Sequence, residues 1–207
     1  MENTGNSTEE KIFNAALQEF VEKGYDGARM QSIADRAGIN KALLHYYYRT
    51  KDKLFEAVVP QIIKQLPIGI NSALEKEGSI EDKITAIVHL YITFLKNNPG
   101  LFNFVLRELL TNPERLARIF KQILESESNN LIGRLAELIQ QEAKAGNIVP
   151  IRPEQLITNL ISLCVFPFIG KFMVEHIILK NIGTSYDDFI KNRENEVVTF
   201  ILKAIKP

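Results

Sequence analysis

The chain has 207 residues, 45% of them hydrophobic, which is ample for a buried core and allows one large domain or two small ones. Lys+Arg and Asp+Glu balance at 25 each, so a uniformly basic coat is excluded and any DNA-binding surface must be a local patch. The single cysteine, Cys164, excludes an intramolecular disulfide; within the apolar run Leu163-Cys164-Val165-Phe166 it is expected as a buried thiol, which suits a reducing, cytoplasmic setting. The polar start, Met1-Glu2-Asn3-Thr4-Gly5, is unlike a signal peptide. No apolar stretch approaches the ~18 residues of a membrane span, so no membrane partner is expected. His45, His89 and His176 are scattered and lack metal-ligand spacing, so neither a metal nor a cofactor is expected.

The predicted elements are helical throughout, because apolar residues recur at steps of three and four and strict alternation is absent. Helices are expected near 8–23, 30–37, 41–47, 51–65, 80–97, 100–110, 113–145, 153–178 and 186–205, an all-α chain of about nine helices. Capping boxes mark three starts: Ser7 with Glu10, Ser79 with Asp82, and Ser185 with Asp188. Asn112-Pro113 and Arg152-Pro153 open two more. Leu66-Pro67-Ile68-Gly69 reads as a boundary. The polar run 125–130 could be a loop, but Leu116, Phe120, Ile123, Leu124, Leu131, Leu135 and Leu138 keep one phase across it, so one continuous helix is predicted. Pro167, inside an apolar helix, should kink or divide it.

Residues 29–51 carry the functional reading. Ile33, Ala34 and Ala37 form the apolar side of a short helix, and Gly38 supplies a left-handed stop. Ile39 plugs the turn, and Asn40 can cap a second helix. On that helix Leu44 and Tyr48 share the inward face, while Lys41, Ala42, His45 and Tyr46 fall elsewhere. Helix, glycine turn and helix are the parts of a helix-turn-helix. From Arg29 to Lys53 six basic residues face two acidic ones, whereas residues 1–28 hold six acidic against two basic. Asn40 and Lys41 at a helix start, with the hydroxyls of Tyr46 and Tyr47, suit phosphate oxygens.

The stretch from Ile33 to Phe55, Ile-Ala-Asp-Arg-Ala-Gly-Ile-Asn-Lys-Ala-Leu-Leu-His-Tyr-Tyr-Tyr-Arg-Thr-Lys-Asp-Lys-Leu-Phe, resembles the TetR-family signature. That signature runs Ile-Ala, Ala-Gly-Val-Ser, Lys-Gly-Thr-Leu-Tyr-Tyr-His-Phe, then a Lys-Ser-Lys-Glu-like segment before Leu. The upstream Phe20-Val-Glu-Lys-Gly-Tyr-Asp-Gly27 is similar to the family's exit from its first helix, and the match covers roughly 9–56. The resemblance implies a three-helix DNA-binding domain over 1–50 and a larger helical effector-binding and dimerisation domain over 51–207. It implies DNA contacts from Lys41, Ala42, Leu43, His45, Tyr46, Tyr47 and Lys51. Three departures stand out: Ala42 replaces a glycine, Leu43 replaces a Thr, and Ala28-Arg29 replaces a Thr/Ser cap, leaving Arg29 for phosphate. A side chain such as Leu43 could meet a thymine methyl but offers no hydrogen bond.

The family resemblance also implies an effector cavity with apolar walls, for which His89, Phe102, Phe166 and Met173 are candidates; each is also readable as core. It implies a homodimer through the helices near 153–178 and 186–205, its two reading helices ~34–36 Å apart on successive major grooves. The expected function is a ligand-responsive transcriptional regulator, a repressor released from a palindromic double-stranded operator by a small apolar effector. The rival is a helical small-molecule-binding protein that has lost sequence-specific DNA binding, with Ala42 and Leu43 as symptoms. An enzyme has little support, since no nucleophile–base set, phosphate loop or metal cluster is legible.

Overall fold

A computed structural model describes residues 7–124 and 130–207, and among these every regular element is a helix. The elements are α1 (Thr8–Gly27), α2 (Met30–Ala37), α3 (Lys41–Tyr47), α4 (Lys51–Ile63), α5 (Gln65–Glu75), α6 (Ile80–Asn97), α7 (Pro99–Thr111), α8 (Pro113–Leu124), α9 (Leu131–Ala145) and α10 (Pro153–Ile169). There follow α11 (Lys171–Met173), a π-helical stretch (Val174–Leu179), α12 (Lys180–Ile182) and α13 (Tyr186–Ile205). The caps explain most starts. Ser7 and Glu10 close a full capping box, as do Ser79 and Asp82, while Ser185 accepts from the Asp188 N–H. The Asn112 side chain accepts from the Arg115 N–H at 3.1 Å.

The helix count departs from the expected nine at three places. α5 occupies the segment read as a boundary; Pro67 falls in its first turn, where no intrahelical N–H bond is lost, and Pro67, Ile70 and Ala73 are buried. The predicted continuous helix over 113–145 is corrected: α9 begins anew at Leu131, with the non-helical Asn130 accepting from the Gly133 N–H at 3.1 Å. Within that predicted helix, 125–129 lie outside the described residues. Beyond Pro167, α10 ends at Ile169, and Lys171–Ile182 leaves at 73° to it. None of the described helices is by itself long and apolar enough to cross a membrane.

The chain forms two compact units. The first lies within Met1–Gln65 and Gly100–Phe120. In it α1 packs on α2 and α4, and α2 on α3, around Ile12, Ala16, Phe20, Ile33, Leu44, Leu54, Phe55 and Phe104, all at most 2% exposed. Phe55 is its hub, meeting Phe20 and Tyr25 edge-on at 5.0 Å and Phe104 at 6.0 Å. The second lies within Leu66–Pro99 and Lys121–Pro207. There α6, α10 and α13 pack against one another, burying Ile84, Val88, Ile92, Leu156, Cys164, Val197 and Ile201.

Candidate nucleic-acid interface

α3 is held by short-range contacts on both sides. Gly38 turns left-handed at φ 67°, its N–H reaching the Asp35 carbonyl at 3.2 Å, and the Ile39 N–H returns to Ala34 at 3.0 Å. The Asn40 side-chain oxygen then accepts from the Leu43 N–H at 2.8 Å and starts α3. Leu44 is fully buried and Tyr48 half-buried, so α3 is anchored along one side. Lys41, Ala42, His45, Tyr46 and Tyr47 are exposed, Tyr46 by 82%, and the two tyrosine rings meet edge-on at 5.7 Å. Leu43 is half-buried, which leaves only part of its side chain to offer a base.

The cations of the segment have divergent fates. Arg36 is bound to α1: its Nε lies 3.1 Å from Glu19 and its guanidinium forks onto Glu22. Lys51, read from the sequence as a DNA contact, turns inward instead. Its ammonium donates to the Tyr25 and Ala28 carbonyls at 2.8 and 3.2 Å and lies 4.3 Å over the Tyr25 ring. Lys53 meets Glu56 at 3.3 Å. Arg29, Lys41 and Arg49 have no side-chain partner among the described residues. Arg49, one of the six basic residues between Arg29 and Lys53, is exposed just past the end of α3, a position that no motif signals. Glu19 and Glu22 of α1 are paired with Arg36 and Lys23, so these two acids do not neutralise the three cations, which can attract phosphate.

Glu19 is the buried member of that ion network, contacted by Lys23 at 2.7 Å, Arg36 at 3.1 Å and the Arg29 N–H at 3.4 Å. Burial pushes its carboxyl up, but the Lys23 and Arg29 hydrogen bonds and the two cations outweigh it and hold the group below its ordinary value. Glu19 ties α1 to α2 and thereby fixes the platform on which α3 sits.

A second cluster, invisible to motif reading, joins α1 to α7 and α8 within the first unit. Glu108, 2% exposed, accepts from the Tyr25 N–H at 3.0 Å and from Arg115 at 3.1 Å. Arg115 stacks 3.7 Å over the Tyr25 ring, and the Tyr25 hydroxyl donates to Asp52 at 2.5 Å. Burial, followed by the Asp52 bond and charge, pushes the Tyr25 hydroxyl up to about 12. Arg107 donates to the Glu22 carbonyl at 3.0 Å. The only early signal was Gly24 in the exit from α1; it adopts φ 71°, ψ 175°, which frees the Tyr25 N–H for Glu108.

The four effector candidates separate. Phe102 is half-buried on α7 in the first unit. In the second, His89 is exposed and its Nδ1 lies 2.9 Å from Glu194, while Phe166 and Met173 are exposed by 45% and 43%. Among the described residues no group of three or more His, Cys, Asp or Glu is placed to hold a metal.

Residues 12–58 match the family described as "Bacterial regulatory proteins, tetR family". The HTH-type transcriptional activator FasR of Mycolicibacterium smegmatis is 28% identical over 110 residues, 53% of this chain and 50% of its own length. The HTH-type transcriptional regulator RutR of Escherichia coli is 28% identical over 146 residues, 70% of this chain and 66% of its own. The chain thus spans between half and two thirds of these relatives. The crystal structure of the Bacillus subtilis transcriptional regulator FadR in complex with stearoyl-CoA shares the fold, with a TM-score of 0.69 and 14% identity over 94% of this chain and 98% of that one. Residues 12–58 thus carry the N-terminal match to the tetR family of bacterial regulatory proteins, and the chain as a whole shares the fold of a solved transcriptional regulator.

Proposed function

We propose that this protein is a ligand-responsive transcriptional repressor that binds a palindromic operator as a homodimer and is released by a small, largely apolar effector. The observation that carries the reading is the anchored yet open α3: Leu44 is buried beneath it while Lys41 and Tyr46 stand free on its surface. Arg29, Lys41, Tyr46 and Tyr47 contact phosphates, and Ala42 with the open part of Leu43 lies against base edges. Asn40 contributes as the cap that sets the helix, and residues 1–50 form the DNA-contacting domain.

Dimerisation is supported by the large apolar side chains left open on the last helices. Phe172, Ile182 and Phe200 are 73%, 70% and 64% exposed, and Phe166, Ile169 and Ile177 add to the same elements. Such a surface needs a partner, and a second copy brings two reading helices to one operator. Effector recognition belongs to residues 51–207. Of the four candidates, Phe102 is the half-buried one and sits on α7, the helix that also carries Glu108 and so touches α1. The stearoyl-CoA of the Bacillus subtilis FadR complex motivates the choice of a long apolar effector class.

The test is a binding titration of the full chain on DNA from upstream of its own gene, at several salt concentrations. Lys41→Ala should weaken binding on every sequence and reduce the slope of log K against log salt by about 1. Wild-type affinity in Lys41→Ala would remove α3 from the interface. Release of the DNA by long-chain acyl compounds supports the effector class, and indifference to them overturns it.

A further inference from the structure

His45 occupies α3 one turn after Lys41 and is exposed. Its Nδ1 lies 3.2 Å from the carbonyl oxygen of Arg49, just past the helix end. A carbonyl oxygen can only accept, so Nδ1 carries the proton of the neutral ring. The remaining nitrogen, Nε2, is then a bare lone pair. This distinguishes His45 from the neighbouring tyrosines, whose hydroxyls can donate to phosphate. Phosphate oxygens hold no hydrogen to give, so the neutral His45 ring has nothing to offer the DNA backbone. In the major groove the groups that can donate to it are the N6 amine of adenine and the N4 amine of cytosine, while thymine O4 and guanine O6 present lone pairs that repel it.

We infer that His45 is a specificity-determining residue that reads an amino base, adenine or cytosine, and rejects a keto base, guanine or thymine, at one position of each half-site. The assignment rests on the DNA-binding reading proposed above. Arg49 is its positioning partner through the backbone carbonyl, so the tautomer is set by the chain that closes α3 and not by a replaceable side chain. Half-buried Leu43 and methyl-sided Ala42 offer no hydrogen bond to a base, which leaves His45 the polar reader among these three outward positions of α3.

Two experiments test it. In the free protein at about pH 8, where histidine rings are neutral, long-range ¹⁵N–¹H correlation should show Nε2 of His45 as the unprotonated nitrogen; a proton on Nε2 instead overturns the assignment. Selection of duplexes from a random pool by the full chain should then enrich a position where adenine or cytosine is preferred about tenfold. Replacing that base by its analogue without the exocyclic amine (purine for adenine, 2-pyrimidinone for cytosine) should weaken wild type about tenfold and leave His45→Ala unchanged. Unaltered melting of His45→Ala verifies that the exposed site tolerates the change. If His45→Ala instead weakens all sequences equally with a shallower salt slope, His45 is a backbone contact and the inference fails while DNA binding stands. If no duplex is bound at all, both this assignment and the proposed function fall.

Discussion

Arg193 on α13 donates through Nε and Nη2, at 3.2 and 2.8 Å, to the carbonyl of Leu163 on α10. That carbonyl is the one a helix would pair with the N–H of residue 167, and Pro167 has none. The guanidinium replaces the missing donor, and Tyr186 caps the Pro167 carbonyl itself at 3.0 Å. The bend that turns the last helices is therefore stitched from outside α10.

This pairing predicts a coupled effect on stability. Arg193→Met should cost about 1–3 kcal/mol in urea unfolding, because the Leu163 carbonyl loses its partner. In a Pro167→Ala background the restored N–H satisfies that carbonyl, so the same substitution should cost about 1 kcal/mol less. Equal costs in both backgrounds would show that Arg193 acts through packing alone.

Glu108 serves the Tyr25 N–H and Arg115 from a buried position. Glu108→Ala should destabilise the chain by about 3 kcal/mol, since it strands a buried donor and a partly buried cation. Glu108→Gln keeps an acceptor and should cost roughly half as much. Chemical denaturation of both variants checks the order.

Two glycines with positive φ should respond differently to alanine. At Gly38 (φ 67°) a Cβ meets nothing within 4 Å, so Gly38→Ala bears only the left-handed penalty of about 1 kcal/mol. At Gly24 (φ 71°, ψ 175°) the Cβ would stand 2.9 Å from Arg107 Cδ in a backbone region nearly reserved for glycine, so about 2–3 kcal/mol is expected. Thermal melts rank them; a milder effect at Gly24 would contradict the described turn.

Glu19 predicts an acid limb. Its folded-state carboxyl is held below the ordinary value of 4.5, so its contribution is fully present above that value and is lost as pH falls through the folded one. Glu19→Gln should be less stable than wild type at neutral pH, and the gap between them should shrink below about pH 4.5. A gap that does not change with pH would assign Glu19 a purely steric role.

Cys164 is fully buried, and burial pushes its thiol up to about 12. A thiol reagent should leave the native chain untouched at neutral pH and label one site after denaturation. Rapid native labelling would mean that the second unit opens readily.

What could be read directly from the order of residues was local. The bounds of α2, α3 and α6 and the caps at Ser7, Asn40, Ser79 and Ser185 depend on groups three or four positions apart, and so does the left-handed stop at Gly38. Periodicity overreached at 113–145, because an apolar stripe that keeps its phase does not reveal a break capped at Asn130. Proline and glycine at 67 and 69 suggested a boundary, yet burial of Ile70 and Ala73 made that segment α5.

Tertiary structure alone decided which charges are spent and which are free. Arg36 and Lys51 are chemically as fit for phosphate as Lys41, but folding delivers them to Glu19, Glu22 and the Tyr25 carbonyl. The bond from the Tyr25 N–H to Glu108 joins positions 83 residues apart, and no spacing rule encodes it. Local hydrogen bonds set the helices; the partner of a long, flexible charged side chain is set only when distant segments are brought within reach.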